Sequence, residues 1–147
     1  MTLLGGGKIT IGKQCIFHPG SLVATYGGSI EIGDNVSLND YAVLYGHGGL
    51  VIGDGTRIAT HSVVVPANHC TDPSSPIWTQ GLTKLGIVIG QDVWIGAGVR
   101  ILDGVKVPDG CVLAAGAVIH ATIGMVEFGI YGGVPAKMIG SRLNDVA

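Results

Sequence analysis

Through the second half of this chain an aliphatic residue returns at every sixth position: Ile89, Ile95, Ile101, Val107, Leu113, Ile119. The same register runs earlier through Ile11, Phe17 and Val23, then Ile32, Leu38 and Leu44, then Ile52, Ile58 and Val64, with small slips between the groups. Four residues after each such position stands a small or β-branched residue, among them Cys15, Ser21, Val36, Ala42, Thr56, Ser62, Val93, Val99, Val105, Cys111 and Ala117. The two types together mark a short strand whose inward positions are two apart. Three residues after the aliphatic position the chain prefers Gly or Asn (Gly20, Asn35, Gly55, Gly98, Gly104, Gly110, Gly116), with His47, His61 and Asp92 as substitutes. These are residues that tolerate a left-handed corner.

A unit of one short strand and one corner cannot bury its own apolar face, so successive units must stack. Three units per turn give a triangular coil of about 18 residues that rises ~4.8 Å. The periodicity therefore predicts an all-β fold, a parallel β-helix or triangular solenoid. A β-sandwich would show alternating runs separated by turns every 8–12 residues or so, which a sustained period of six does not match. Composition agrees: 26 of 147 residues are Gly and only 12% are charged, against a usual glycine share of roughly 7%.

The length predicts a single domain spanning 1–147, with a protruding loop at 70–85 and a C-terminal extension at 124–147. A net charge of −2 with no basic run argues against a nucleic-acid partner. No apolar run approaches the roughly 18 residues of a membrane span, and "MTLLGGGKITIG" lacks the apolar stretch of a signal peptide. A cytoplasmic location is the expectation. The three cysteines, Cys15, Cys70 and Cys111, show neither disulfide-framework nor zinc-pair spacing, and no metal site is expected.

The repeat stops at "NHCTDPSSPIWTQG" and resumes only at "GIVIG", residues 86–90. Structureless stretches of this length inside a compact domain are uncommon and tend to carry function. His69, counted from Val64, falls at an outward position beside the break. It is the first candidate for a general base. Asn68 or Asp72 could orient its ring. His47, in "LYGHGG", is the second candidate, with a structural corner role equally open. Cys70 adjoins His69 but points to the opposite face of a strand, so a Cys–His pair is disfavoured. Trp94 is outward and suggests subunit packing or a ligand wall. Ala97 and Ala115 stand 18 residues apart at one corner of successive coils, where small side chains leave backbone N–H groups open.

The runs "IGDNVS", "IGDGTR", "IGQDVWIGAGV" and "ILDGVKV" with the late "GGVPAKMIG" resemble the hexapeptide-repeat acyltransferases across residues 8 to 140 or so. The combination of "NH", a long loop, "VWIGAG" and "GVPAK" is similar to the sugar O-acetyltransferases, including maltose, galactoside and polysaccharide acetyltransferases. That resemblance implies a left-handed helix, a homotrimer with acetyl-CoA bound between subunits, and a sugar or glycan acceptor. It implies direct acetyl transfer with His69 as base. It also implies that the Ala97 and Ala115 amides hold the thioester and pantetheine arm, that Lys137 approaches the CoA phosphates, and that Asn39, with Asp40 a weaker choice, contacts the acceptor. Where relatives carry Thr-Lys-Asp-Val, this chain has His120 and Ala121, so His120 is the substitute CoA contact. "LYGHGGLVIGD" also resembles the stretch bearing the catalytic histidine of serine acetyltransferases.

Two other classes compete. γ-Type carbonic anhydrases share the fold and bind zinc through three histidines, but the spacing of His47, His61 and His69 does not match theirs. A non-catalytic assembly solenoid would leave the "NH" and its loop unexplained.

Overall fold

The computed structural model describes residues 2–143. It is a parallel β-solenoid with three faces. Sheet A takes Thr2–Leu4, Leu22–Ala24, Val43–Tyr45, Val63–Val64, Arg100–Ile101 and Val118–Ile119. Sheet B takes Lys8–Ile11, Ser29–Ile32, Leu50–Ile52, Ile87–Ile89 and Lys106–Val107. Sheet C takes Ile16–Phe17, Ser37–Leu38, Arg57–Ile58, Trp94–Ile95, Val112–Leu113 and Gly129–Gly133, and ends on Ala136–Ser141. Each strand pairs with its counterpart one coil away, which is the stacking that a six-residue unit requires.

From Val23 onward the sixth-position aliphatics form the core, whereas in the first coil Ile11 is exposed and Phe17 only partly buried. Leu38, Leu44, Ile58, Ile95, Ile101, Leu113 and Ile119 are fully buried, with Val36, Ala42, Val93, Val99 and Ala117 beside them. Each buried Ile or Leu contributes roughly 1.5–3 kcal/mol of transfer free energy, so the repeat is itself the main source of stability. Cys111 is buried, while Cys15 is only partly buried against the core.

Coil length differs from the expected 18. It holds in the second half, where Trp94 pairs with Val112 and Arg100 with Val118. In the first half Leu22 pairs with Val43, an advance of 21, and Ile30 with Leu50, an advance of 20. The added residues fall at one place. Between sheets B and C, and between C and A, successive inward residues stay four apart (Ile32 to Val36, Leu38 to Ala42, Ile95 to Val99), whereas between A and B the steps run from Val23 to Ile30 and from Leu44 to Leu50. The A/B corner is the variable edge of the prism.

The regular corners are held by a hydrogen-bond ladder. The N–H of the left-handed residue donates to the carbonyl one coil away: Gly98 to Thr60 at 3.0 Å, Gly110 to Gln91 at 2.8 Å, Gly116 to Ala97 at 2.8 Å. Asn35, His61 and Asp92 take the left-handed conformation as the sequence predicts, and Gln14, Tyr26, Tyr41 and Phe128 do so as well. His47 does not; in its wider turn Gly49 (φ 94°) carries that conformation instead. At the B/C corner each Asp caps the preceding coil: Asp34 Oδ1 accepts from Lys13 N–H at 2.7 Å, Asp54 Oδ1 from Asp34 N–H at 2.7 Å and Asp109 Oδ1 from Gln91 N–H at 2.8 Å. A Cβ at Gly33 or Gly90 would overlap the stacked carboxylate, which explains the recurring Gly of "IGD" and "IGQD".

The C-terminal extension completes sheet C and then reverses. Gly129–Gly133 pairs parallel with Val112–Leu113, and Ala136–Ser141 returns antiparallel along it. Arg142 ties this return to the body through Asp92 Oδ2 and the Gly110 carbonyl, both at 2.8 Å. Met1 and residues 144–147, which the expected domain and extension also included, lie outside the described residues.

Candidate active site

The solenoid ladder at the A/B corner of the third coil stops with Val65, whose N–H donates to Ile101 O at 2.9 Å. Pro66 follows, and it has no N–H to continue. From there the chain leaves as a hairpin, Asn68–His69 pairing antiparallel with Leu82–Thr83. This corrects two expectations. The excursion begins before residue 70, and His69 stands on the stem of a projecting hairpin rather than on the solenoid face. Its side chain is exposed, as is that of Asn68.

Beyond the stem the loop is braced from within. The Gln80 side chain donates to Asp72 O at 2.9 Å and Ser75 O at 2.7 Å, while its Oε1 accepts from Asp72 N–H at 3.0 Å. The Asp72 carboxylate accepts from Ser74 N–H at 2.8 Å, and hydrogen bonding first from the Ser74 side chain and then from that N–H holds its pKa below the usual carboxylate value. Asp72 is thus committed to its own turn and, among the described residues, does not orient His69. At the return, buried Asp103 accepts from the N–H groups of Leu85 (2.9 Å) and Gly86 (3.0 Å) and from Thr83 Oγ1 (3.3 Å). Sequence reasoning passed over Asp103. The signal was present: "LDG" repeats the Asp-Gly corner of "GDG" and "PDG", and in each the carboxylate caps the preceding coil.

One coil below, also at the A/B corner, His47 stacks on Tyr26 (ring centroids 4.4 Å apart) and meets Tyr45 edge-on at 5.7 Å. Its Nδ1 is buried without a partner. Burial, and then the nearby Lys84 ammonium, lower its pKa below the ordinary histidine value, because both disfavour the imidazolium. His120 closes the same edge two coils above the loop, its Nδ1 2.6 Å from Thr122 Oγ1.

The other candidates lie elsewhere. Ala97 and Ala115 occupy the C/A corner, exposed and stacked, and among the described residues neither N–H donates a hydrogen bond. Asn39 shares that corner, half-buried, its N–H donating to Ile58 O at 2.9 Å. His61 is there too, 2.7 Å from Thr60 Oγ1, so the three histidines of the zinc alternative sit on two different edges. No three His, Cys, Asp or Glu converge among the described residues. Trp94 is outward on sheet C, 58% exposed, between Arg57 and Val112 in register. Lys137 is exposed on the final strand. Within one chain, then, the structure brings His47, His69 and His120 to one edge of sheet A and Ala97, Ala115 and Asn39 to the opposite edge.

A prism of strand-and-corner units, with a loop thrown out beside an exposed histidine, defines a hexapeptide-repeat protein. The family profile described as "Bacterial transferase hexapeptide (six repeats)" matches residues 86–121. WbbJ of Escherichia coli strain K12, named for O-acetyl transfer in lipopolysaccharide biosynthesis, is 32% identical over 142 residues, covering 90% of this chain and 71% of its own. The chain belongs to the bacterial hexapeptide-repeat transferases. Rv3034c of Mycobacterium tuberculosis, named as an acetyltransferase, is 31% identical over 136 residues, or 92% of this chain and 45% of its own length. Among solved structures, the hexapeptide-repeat acetyltransferase VCA0836 of Vibrio cholerae, complexed with acetyl coenzyme A, superposes with a TM-score of 0.70 at 26% identity over 90% of this chain and 70% of its own. The N-acyltransferase AntD of Bacillus cereus, solved with dTDP and coenzyme A, shares the fold at a TM-score of 0.82 and 23% identity, over 96% of this chain and 77% of its own.

Proposed function

We propose that this protein is an O-acetyltransferase that moves the acetyl group of acetyl-CoA onto a sugar or glycan hydroxyl. Its active site forms between copies of the chain. The observation that carries this reading is that the candidate residues fall along the two edges of sheet A, His47, His69 and His120 on one and Ala97, Ala115 and Asn39 on the other. The outward row between them, Leu22, Val43, Val63 and Val118 in register, is interrupted only by Arg100, whose guanidinium is tied back to His61 O and Gly98 O. Packing this face against a second copy in a closed ring of three sets the A/B edge of one subunit against the C/A edge of the next. His69 of one chain then faces the open Ala97 and Ala115 amides of another. The name of the E. coli relative supports the O-acetyl assignment, and the acetyl-CoA complex of the V. cholerae relative supports the donor.

In this reading His69 accepts the proton of the acceptor hydroxyl as its oxygen attacks the thioester carbonyl. A backbone N–H at Ala97 or Ala115 meets the developing oxyanion. The carbon–sulfur bond then breaks, and the proton held by His69 passes to the departing thiolate. Lys137 supplies a point charge to the CoA phosphates, His120 and Trp94 line the donor cleft, and Asn39 and Asn68 contact the acceptor. Asp72 serves by shaping the loop.

Incubating the protein with acetyl-CoA and a panel of sugars and amino sugars, and detecting acetylated product by mass spectrometry, tests the assignment. Acetylation of hydroxyls is the expected result. Acetylation of amines alone reassigns the acceptor atom. Failure to bind CoA leaves the assembly reading, and stoichiometric zinc in purified protein would favour the carbonic anhydrase-like one.

A further inference from the structure

The chain has five lysines, Lys8, Lys13, Lys84, Lys106 and Lys137. Among the described residues none of them is in an ion pair. Three of the five, Lys8, Lys84 and Lys106, line two depressions of about 580 and 350 Å³ that meet at Gly48 and Gly49. In a protein of net charge −2 this concentration of unpaired cations runs against the overall balance.

Strand register explains the shape. Lys8 pairs with Ser29, and the pairings of Ile30 with Leu50, Ile87 with Leu50 and Val88 with Lys106 continue that row through Gly49, Gly86 and Gly104. The row crosses five strands, so it makes a trough about 19 Å long, parallel to the solenoid axis, at ~4.8 Å per strand. Its floor is small residues. Lys8 stands at one end; His47 and Lys84 stand along the A/B corner; Val51, Leu85 and Val88 make an apolar flank toward Lys106. Glu31 is the acid on the same face, one row over. The Asp103 carboxylate is taken up by the Leu85 and Gly86 N–H groups. His47 lines the same wall, with its Nδ1 buried beneath the surface.

Resting on the sugar-acceptor reading above, we infer that this trough holds the diphosphate of an acceptor presented as a sugar diphosphate. Lys8 and Lys84 meet its charge beside the His47 ring. Lysine ammonium groups bind phosphate as mobile point charges. The group carried beyond the diphosphate, a nucleoside or a lipid chain, lies along the apolar flank toward Lys106. The sugar lies toward the hairpin that bears His69.

Calorimetric titration of CoA-saturated protein with inorganic pyrophosphate tests the site while the donor's own phosphate contacts are filled. Pyrophosphate is expected to bind, and the Lys8→Ala/Lys84→Ala double variant to weaken it about tenfold or more. Lys13→Ala, which removes an equal charge at the B/C corner, is expected to leave binding unchanged. Tighter binding of uridine diphosphate than of pyrophosphate identifies a nucleotide carrier; tighter binding of farnesyl diphosphate identifies a lipid carrier. No binding by the CoA-saturated protein, or equal weakening by Lys13→Ala, overturns the inference. So does acetyl transfer to a free sugar as efficient as to its diphosphate, a result that leaves the acetyltransferase assignment standing. A trough that passes the titration in a protein that acetylates no sugar separates the opposite failure.

Discussion

The A/B and C/A edges of this prism bound the same sheet and are built differently. At the C/A edge every corner closes in the minimal span, positive-φ residues stack, and backbone carbonyls one coil away accept their N–H groups. At the A/B edge the chain widens its turns at Thr25–Gly28 and Gly46–Gly49, throws out a hairpin at 68–83, and resumes the minimal span only at Leu102–Gly104. A regular edge offers a fixed spacing of backbone groups, suited to a ligand that is always the same. An irregular edge offers side chains and loops, which can be fitted to one acceptor. The difference teaches that the repeat supplies the donor half of the proposed site, and departures from the repeat supply the rest.

The largest expected effect falls on the irregular edge. His69→Ala should lower kcat for acetyl transfer by ~10²–10⁴ while CoA affinity and assembly state stay near wild type, as steady-state kinetics and light scattering will show. If His47→Ala has that effect instead, the base belongs to the aromatic stack one coil below. Asp103→Ala should release the hairpin's return at a cost of about 1–3 kcal/mol, since it removes the charged acceptor of two part-buried N–H groups. Hydrogen exchange at 82–86 should quicken in that variant and remain slow in Asp109→Ala, which touches only the B/C corner. On the regular side, Lys137→Ala should weaken CoA binding by about five- to tenfold and dephospho-CoA binding less; equal losses would remove Lys137 from the donor site.

The smallest effect is a shift in titration. Burial and Lys84 lower the pKa of His47, so its imidazole stays neutral to a lower pH than an ordinary histidine, and Lys84→Ala should move its NMR titration upward. Were His47 the base, the acid limb of kcat/KM would lie below the usual histidine range and would climb in that variant. An acid limb indifferent to Lys84 keeps the role with His69.

Much of the fold was legible because inward residues obey one rule, burial every second and sixth position, and Leu44, Ile95 and Ile119 follow it without exception for local context. Corner conformation was legible for the same reason at Asn35, His61 and Asp92. It failed at His47, because two added residues in "YGHGG" move the left-handed position to Gly49, and counting from Leu44 cannot register an insertion. His69 was misplaced in the same way: counting carries it along a ladder that Pro66 has already ended. Asp103 escaped because a period reports which side a residue faces and says nothing of which N–H groups wait there. The spread of the candidate residues over two edges was hidden by the same limit, since period six gives each residue a direction without naming the sheet it belongs to.

The reversal at the C-terminus has a consequence for life in a crowded solution. Every coil of a parallel solenoid presents to the next the same row of donors and acceptors that it received from the last, so the stack is a template that can recruit other chains edge to edge. On sheet C that row ends on Ala136–Ser141, whose antiparallel direction no longer matches an incoming coil, while Ile123 and Met125 pack against the core nearby. The strand that displays Lys137 therefore also terminates growth. A chain cut short before residue 124 keeps its coils but loses this stop, and its failure would take the form of fibres before it took the form of unfolding.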